Sequence, residues 1–343
     1  MVFTPGIFEL MFHEPMNELI FRYFRMMINL YSLYDVLAEY HLDQEKQILL
    51  SDGDNPQKCR FCGRTTPEVT FNKVAHALSH MVENRHLKSD YECDECNHLF
   101  SRYENDYSAY MNLYHTMFGV HGKKGIPKYR LHSEAFSKIT NETNSIHILM
   151  KEDEDSLIEW KEEDKRNNSI KVKGERAYTP QNILKAIVKM GISIMPKNEL
   201  PIFKTTIDWL MNKPVEGLIP KVIVRFYRNK RPYTSCWIIK RKDSVGQDIP
   251  LYMFILAYNG IVVQTPFPFV AEDKNLKGRN ITIPLFPTIL DKEQLPFLRD
   301  VITVAEIDKK YDEATINIKY RRVEETINQT KASESDDISI ESK

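Results

Sequence analysis

The stretch CRFCGRTTPEVTFNKVAHALSHMVENRHLKSDYECDECNHLF, residues 59–100, decides how this chain is read. It holds four of the five cysteines as two pairs, Cys59-x-x-Cys62 and Cys93-x-x-Cys96. In an exported protein such pairs form disulfides; in a reducing compartment they bind metal. The N-terminus MVFTPGIFEL lacks a basic region followed by an apolar run, so no secretory signal is expected and the location is read as cytoplasmic. Thiolates are soft ligands, and four within tetrahedral reach suit Zn²⁺ in a closed, structural site. A redox role would need a thioredoxin-like βαβ setting, which surrounds neither pair. Cys236 stands alone and reads as a small buried apolar residue.

Residues 69–92, between the pairs, begin with the β-branched and aromatic content of a short hairpin. Residues 98–119, after the second pair, read as a helix. A hairpin and a helix stapled by zinc can hold a few side chains rigidly over one point.

This arrangement resembles the HNH (ββα-metal) endonucleases, in particular the zinc-containing branch that includes phage endonuclease VII and the bacterial HNH-5 type, some of which act in phage defence. The resemblance rests on CRFCGRTTPEVTF, AHAL, ECDECNHLFSRYE and KGIPKYR, and spans residues 58–130. It implies a zinc-stapled ββα-metal nuclease module within an α+β chain. It implies His76, fourteen residues after Cys62, as general base, and Asn97, directly after Cys96, as ligand of a catalytic Mg²⁺ or Mn²⁺. The middle Asn of the motif falls nearest Asn84. The implied reaction is phosphodiester hydrolysis, with DNA the expected substrate. His76 would take a proton from water while the cation offsets charge on the departing oxygen, leaving 5′-phosphate and 3′-hydroxyl ends.

The sequence departs from the pattern at Ala75, where the family carries a cation ligand before the histidine. Glu104, seven residues after Asn97 and on the same helical face, is the candidate substitute; His80 and Asp106 are weaker ones. The opposing reading is a non-catalytic, zinc-stapled nucleic-acid-binding protein.

Working outward, residues 14–40 carry Ile20, Phe24, Met27, Tyr31 and Tyr34 at helical spacing, so 1–50 is expected to be a helical segment. Glu14, Glu18, Arg22, Arg25 and Asp35 exclude it as a membrane span. Residues 131–177 are polar, with an acidic run at 151–165, and read as a connector. A second α+β domain is expected over 178–327. Thr179-Pro180 opens a helix there, and aromatic, β-branched stretches after Gly217 form an antiparallel sheet of four to six strands, with a hairpin turn at Asn259-Gly260. Residues 328–343 read as a disordered tail.

The 343 residues carry 47 Lys+Arg against 48 Asp+Glu, which excludes a uniformly basic, histone-like protein but not a local basic surface. Lys123, Lys124, Lys128 and Arg130 form one candidate phosphate-contacting loop. Lys221–Lys242, rich in Arg, Lys, Tyr and Trp, is a second candidate nucleic-acid surface. A homo-oligomer is compatible with the sequence, and no membrane partner is expected.

Overall fold

The α+β expectation is met in a computed structural model that describes residues 18–43, 46–132, 134–142, 145–151, 157–162, 167–174, 177–217, 221–246, 248–276, 283–293, 298–302, 314–321 and 337–340. The chain begins with α1 (Glu18–Leu33), β1 (Tyr34–His41), β2 (Ile48–Leu50), β3 (Ala75–His76), β4 (Leu87–Ser89), α2 (Asp94–Phe118) and β5 (Tyr129–Arg130). There follow β6 (Lys138–Glu142), β7 (Ser145–Leu149), β8 (Ile158–Glu162), β9 (Asn167–Gly174), α3 (Pro180–Ile194) and α4 (Lys204–Leu210). The last elements are β10 (Val222–Phe226), β11 (Ser235–Arg241), β12 (Tyr252–Tyr258), β13 (Ile261–Pro266), α5 (Ile289–Glu293), β14 (Leu298–Ile302), β15 (Ala314–Arg321) and β16 (Asp337–Ile340). None of the described helices is long and apolar enough to cross a membrane.

The described residues form two compact units. The first takes those of Met1–His41, Met195–Thr206 and Pro214–Ile302. Its centre is a six-stranded antiparallel sheet in the order β1-β11-β12-β13-β10-β14. The β12–β13 hairpin turns at Asn259-Gly260 as expected. Asn259 takes a left-handed φ of 47°, and its Oδ1 accepts the Gly260 N–H at 2.9 Å. One sheet face buries Trp237, Ile239, Met253 and Ile255 against Leu30, Tyr34, Phe286 and Leu290. Each such side chain contributes about 1.5–3 kcal/mol by leaving water.

Two expectations for this unit are corrected. The helix read over 14–40 stops at Leu33, and Tyr34–His41 pairs with β11 along the sheet edge. YDVLAEYH has apolar residues at alternate positions as well as at helical spacing, and sheet pairing decided between the two. Phe24 and Tyr31, two of the apolar residues at helical spacing, lie with Phe21 and Ile28 on the exposed side of α1. The basic and aromatic run 221–242 is not an open stacking surface. Phe226, Tyr227 and Trp237 are core residues. Arg225 is buried against Asp291 at 3.2 Å, Arg241 donates to the Ile249 carbonyl, and Lys240 pairs with Glu199 at 3.1 Å.

The second unit takes the described residues of Leu42–Ile194, Ile207–Lys213 and Thr303–Lys343. It contains three small sheets, β2-β4-β3, β16-β7-β6-β5 and β15-β9-β8. The stretch expected as a polar connector supplies β6 to β9. Ile139, Ile148, Leu157, Ile158 and Val172 pack there with Leu113 of α2 and Tyr129. Its polar residues alternate with these apolar ones, so the average composition concealed a half-buried sheet. The expected domain start near 178 also falls inside this unit. α3 begins at Pro180 as read, but it belongs with the cysteine pairs. Asp106 of α2 accepts the Thr179 N–H at 3.1 Å and the Asn182 amide at 2.7 Å, joining the two helices. The tail expected as disordered lies outside the described residues except for β16, which pairs with β7.

α2 also carries a buried histidine. Burial pushes the His115 imidazole down to about 3, whereas the unfolded chain binds that proton near 6.5. Stability is therefore complete above pH 6.5 and falls by about 3 kcal/mol on acidification to pH 4. Urea midpoints of the full chain at pH 7 and pH 4.5 should lie closer together in His115→Gln than in the wild type.

Candidate functional site

The four cysteines of the two pairs converge. Their Sγ atoms all lie within 4.8 Å of one another, with Cys59 and Cys96 at 3.7 Å and Cys62 and Cys93 at 3.8 Å. All four are free thiols, and Cys59, Cys93 and Cys96 are buried. Each pair sits on a turn that its sequence dictates. In the first, the Gly63 N–H returns to the Cys59 carbonyl at 2.9 Å, with Gly63 at a left-handed φ of 74°. In the second, Cys93 is the N-cap of α2 and Cys96 lies in its first turn, where backbone N–H groups favour thiolate.

Without a cation the sulfurs cannot all ionise. The hydrogen bond shared by Cys59 and Cys96 pulls Cys59 down to about 5 and raises Cys96, while burial raises Cys93. A Zn²⁺ would remove that conflict, and four sulfurs at this separation, three of them on buried residues, fit it.

Ion pairs and hydrogen bonds brace the module around the cluster. The Arg60 guanidinium grips Asp52 through both oxygens, at 2.5 and 3.1 Å, and lies 3.7 Å over the Tyr91 ring. Asp94 accepts from the Thr70 hydroxyl and the Asn72 and Lys73 N–H groups, folding that loop onto the start of α2.

His76 sits on β3, which pairs antiparallel with β4. Ala75 faces Ser89 across this ladder, and both are buried. His76 faces Lys88 on the opposite, partly open side. Ala75 therefore points into the core and offers no ligand to a cation. The His76 Nδ1 is buried without a hydrogen-bond partner, leaving Nε2 as the accessible nitrogen. The His80 ring lies 4.1 Å away, centroid to centroid. Burial first, then His80, Lys88, Lys189 and Lys123, hold the His76 imidazole down at about 4. His80 is lowered too, by burial, Lys123 and Arg85, against the opposing field of Glu104. The imidazole pair is thus neutral at pH 7 and ringed by cations.

The other sequence-derived residues divide. Asn84 is fully buried and brackets the β3–β4 connection. Its amide donates to the Leu78 and Leu87 carbonyls at 2.6 and 2.9 Å, and its Oδ1 accepts the His86 and Leu87 N–H groups at 3.2 and 2.9 Å. From this fully buried position it shapes the loop that leads from β3 to β4. Asn97 and Glu104 are half-buried on α2. Asp106, clipped to α3, has its carboxylate occupied. Lys123, Lys124 and Lys128 are exposed on the loop after α2. Glu83 draws that loop in by accepting the His121 N–H at 3.0 Å, and Lys123 acts on both imidazoles. Arg130, also expected to contact nucleic acid, is half-buried and donates to the Ala135 carbonyl. Lys88 and Arg85 escaped the sequence reading; the two-residue alternation from His76 across the hairpin was the signal for Lys88.

Among the described residues, the cysteines are the only group of three or more His, Cys, Asp or Glu with ligand atoms so close together. Comparison of the chain with protein-family models, with curated proteins and with solved structures gives no match.

Proposed function

We propose that this protein is a metal-dependent endonuclease whose zinc-stapled module hydrolyses phosphodiester bonds in nucleic acid, with DNA the favoured substrate. The observation that carries the reading is the environment of His76. A neutral imidazole with an accessible Nε2 is ready to accept a proton at pH 7. It stands in a field of Lys88 and Lys123, and Arg85 acts on the neighbouring His80, a setting suited to a phosphodiester. Lys123, Lys124 and Lys128 supply loop charges that follow a phosphate backbone without reading its sequence.

In this mechanism His76 takes a proton from the attacking water through Nε2. Lys88 and Lys123 orient the phosphate. Asn97 and Glu104 would hold a Mg²⁺ or Mn²⁺, with His80 as the alternative ligand, and the cation would supply charge stabilisation at the phosphate and leaving oxygen. Zinc stays structural. A role as a bacterial anti-phage effector is part of the proposal, drawn from the motif resemblance alone.

The buried Ala75 favours a second reading, a nucleic-acid-binding protein that retains the scaffold without cleavage. End-labelled single- and double-stranded DNA and RNA, incubated with zinc-loaded protein and Mg²⁺, Mn²⁺ or Ni²⁺, separate the two. Cation-dependent cleavage leaving 5′-phosphates supports the enzyme. Tight, salt-sensitive binding with every substrate intact supports the second reading.

A further inference from the structure

The structure points to a role for a helix outside the cysteine-to-cysteine segment: we propose that Lys189, on α3, is the positioning residue that holds His76 in place. The inference rests on the nuclease reading. Lys189 Nζ donates to the His76 carbonyl oxygen at 3.0 Å and pairs with a Glu92 carboxylate oxygen at 2.8 Å. The two side chains are 3% and 0% exposed.

Packing alone does not call for such a pair. Taking two charges out of water costs several kcal/mol per ion, and apolar residues of similar volume are often as stable or more so. Most of the buried face of α3 is built that way, with Ile183, Leu184, Ile187, Val188, Met190 and Ile192, and its other buried lysine, Lys185, donates to the neutral Asn212 side chain. What an apolar residue cannot supply is the donor to His76.

That donor matters because β3 is two residues long and hydrogen-bonds to one neighbouring strand. Its carbonyl side is open unless something from outside the sheet fixes it. Lys189 does so, and Glu92, directly before Cys93, ties the contact to the second cysteine turn. Neighbouring bonds act in the same direction. The Ser79 N–H meets the Met190 sulfur at 3.5 Å, and Arg60 donates to the Ile192 and Ser193 carbonyls at 2.9 and 3.1 Å. The end of α3 is thus a back plate for both the base and the first cysteine turn. A displacement near 1 Å at a reacting group costs roughly a hundredfold in rate.

The test uses full-length, zinc-loaded protein. Lys189→Met alone leaves a buried carboxylate unpaired and is destabilised, so Lys189→Met with Glu92→Met carries the decision. Removing both charges restores thermal stability without restoring the donor to His76. The expected result is a double variant melting near the wild type, with KM within about threefold and kcat down roughly ten- to a hundredfold. Lys189→Arg, which keeps a donor, should recover part of the rate. A double variant that regains wild-type kcat together with its stability would overturn the positioning role. A wild type that cleaves no substrate would overturn the nuclease reading itself, which is a different failure.

Discussion

Stripping zinc from the full-length protein should unfold the second unit and leave the first standing. The four sulfurs occupy the base of the β3–β4–α2 arrangement, where Cys93 caps α2 and the Cys59–Gly63 turn anchors the loop that leads to His76. Structural zinc contributes about 10–16 kcal/mol at neutral pH in small zinc modules, as much as or more than the roughly 5–15 kcal/mol that holds a typical domain folded. Without the ion, four clustered thiols, three of them buried, compete for protons and hydrogen bonds at contact distance. The six-stranded sheet of the first unit has its own core and needs no metal. Chelation, or Cys93→Ala, should therefore remove one of two thermal transitions and most of the signal from α2 and α3. The purified protein should carry one zinc per chain, and cobalt in its place should give sulfur-to-metal charge-transfer bands. Unchanged melting after chelation would refute this assignment.

Replacing His76 with alanine should lower cleavage about 10²–10⁴-fold while leaving zinc content and melting temperature near the wild type. Its ring is partly open and its Nδ1 makes no hydrogen bond, so its loss removes little packing. The pH dependence follows from the same surroundings. With the folded imidazole held at about 4, the base form persists as pH falls through 6.5, where an ordinary histidine would already be half protonated. The acid limb of kcat/KM should lie clearly below pH 6. Lys88→Met, which withdraws one of the cations lowering that value, should move the limb upward. A limb at 6.5 or above in the wild type would mean that His76 is not the base or is far better solvated than its place on β3 indicates.

The four-cysteine cluster was legible because paired thiols carry their chemistry in their spacing. The hairpin at Asn259 and the start of α3 were legible because their signals are local. What escaped was set by distant partners. Lys185 and Lys189 stand four apart on α3, a spacing that by itself names no partner. Yet Lys185 reaches Asn212 at 2.6 Å and Lys189 reaches Glu92, both inside the core. Asn84 looked like a motif residue, but its four hydrogen bonds make it a loop bracket. Arg225 and Trp237 suggested a nucleic-acid surface because a basic, aromatic strand looks the same whether its side chains face solvent or an ion pair such as Asp291. Tyr34–His41 could be placed only by its partner β11, some 200 residues away.

The most direct test of the account is supercoiled plasmid relaxation by the zinc-loaded protein, with Mn²⁺ added or withheld, beside the His76→Ala variant. The account predicts nicked and linear products with Mn²⁺, none without it, and none from the variant. Equal cleavage by the two proteins would contradict it, as would intact plasmid under every cation while the wild type binds that plasmid tightly.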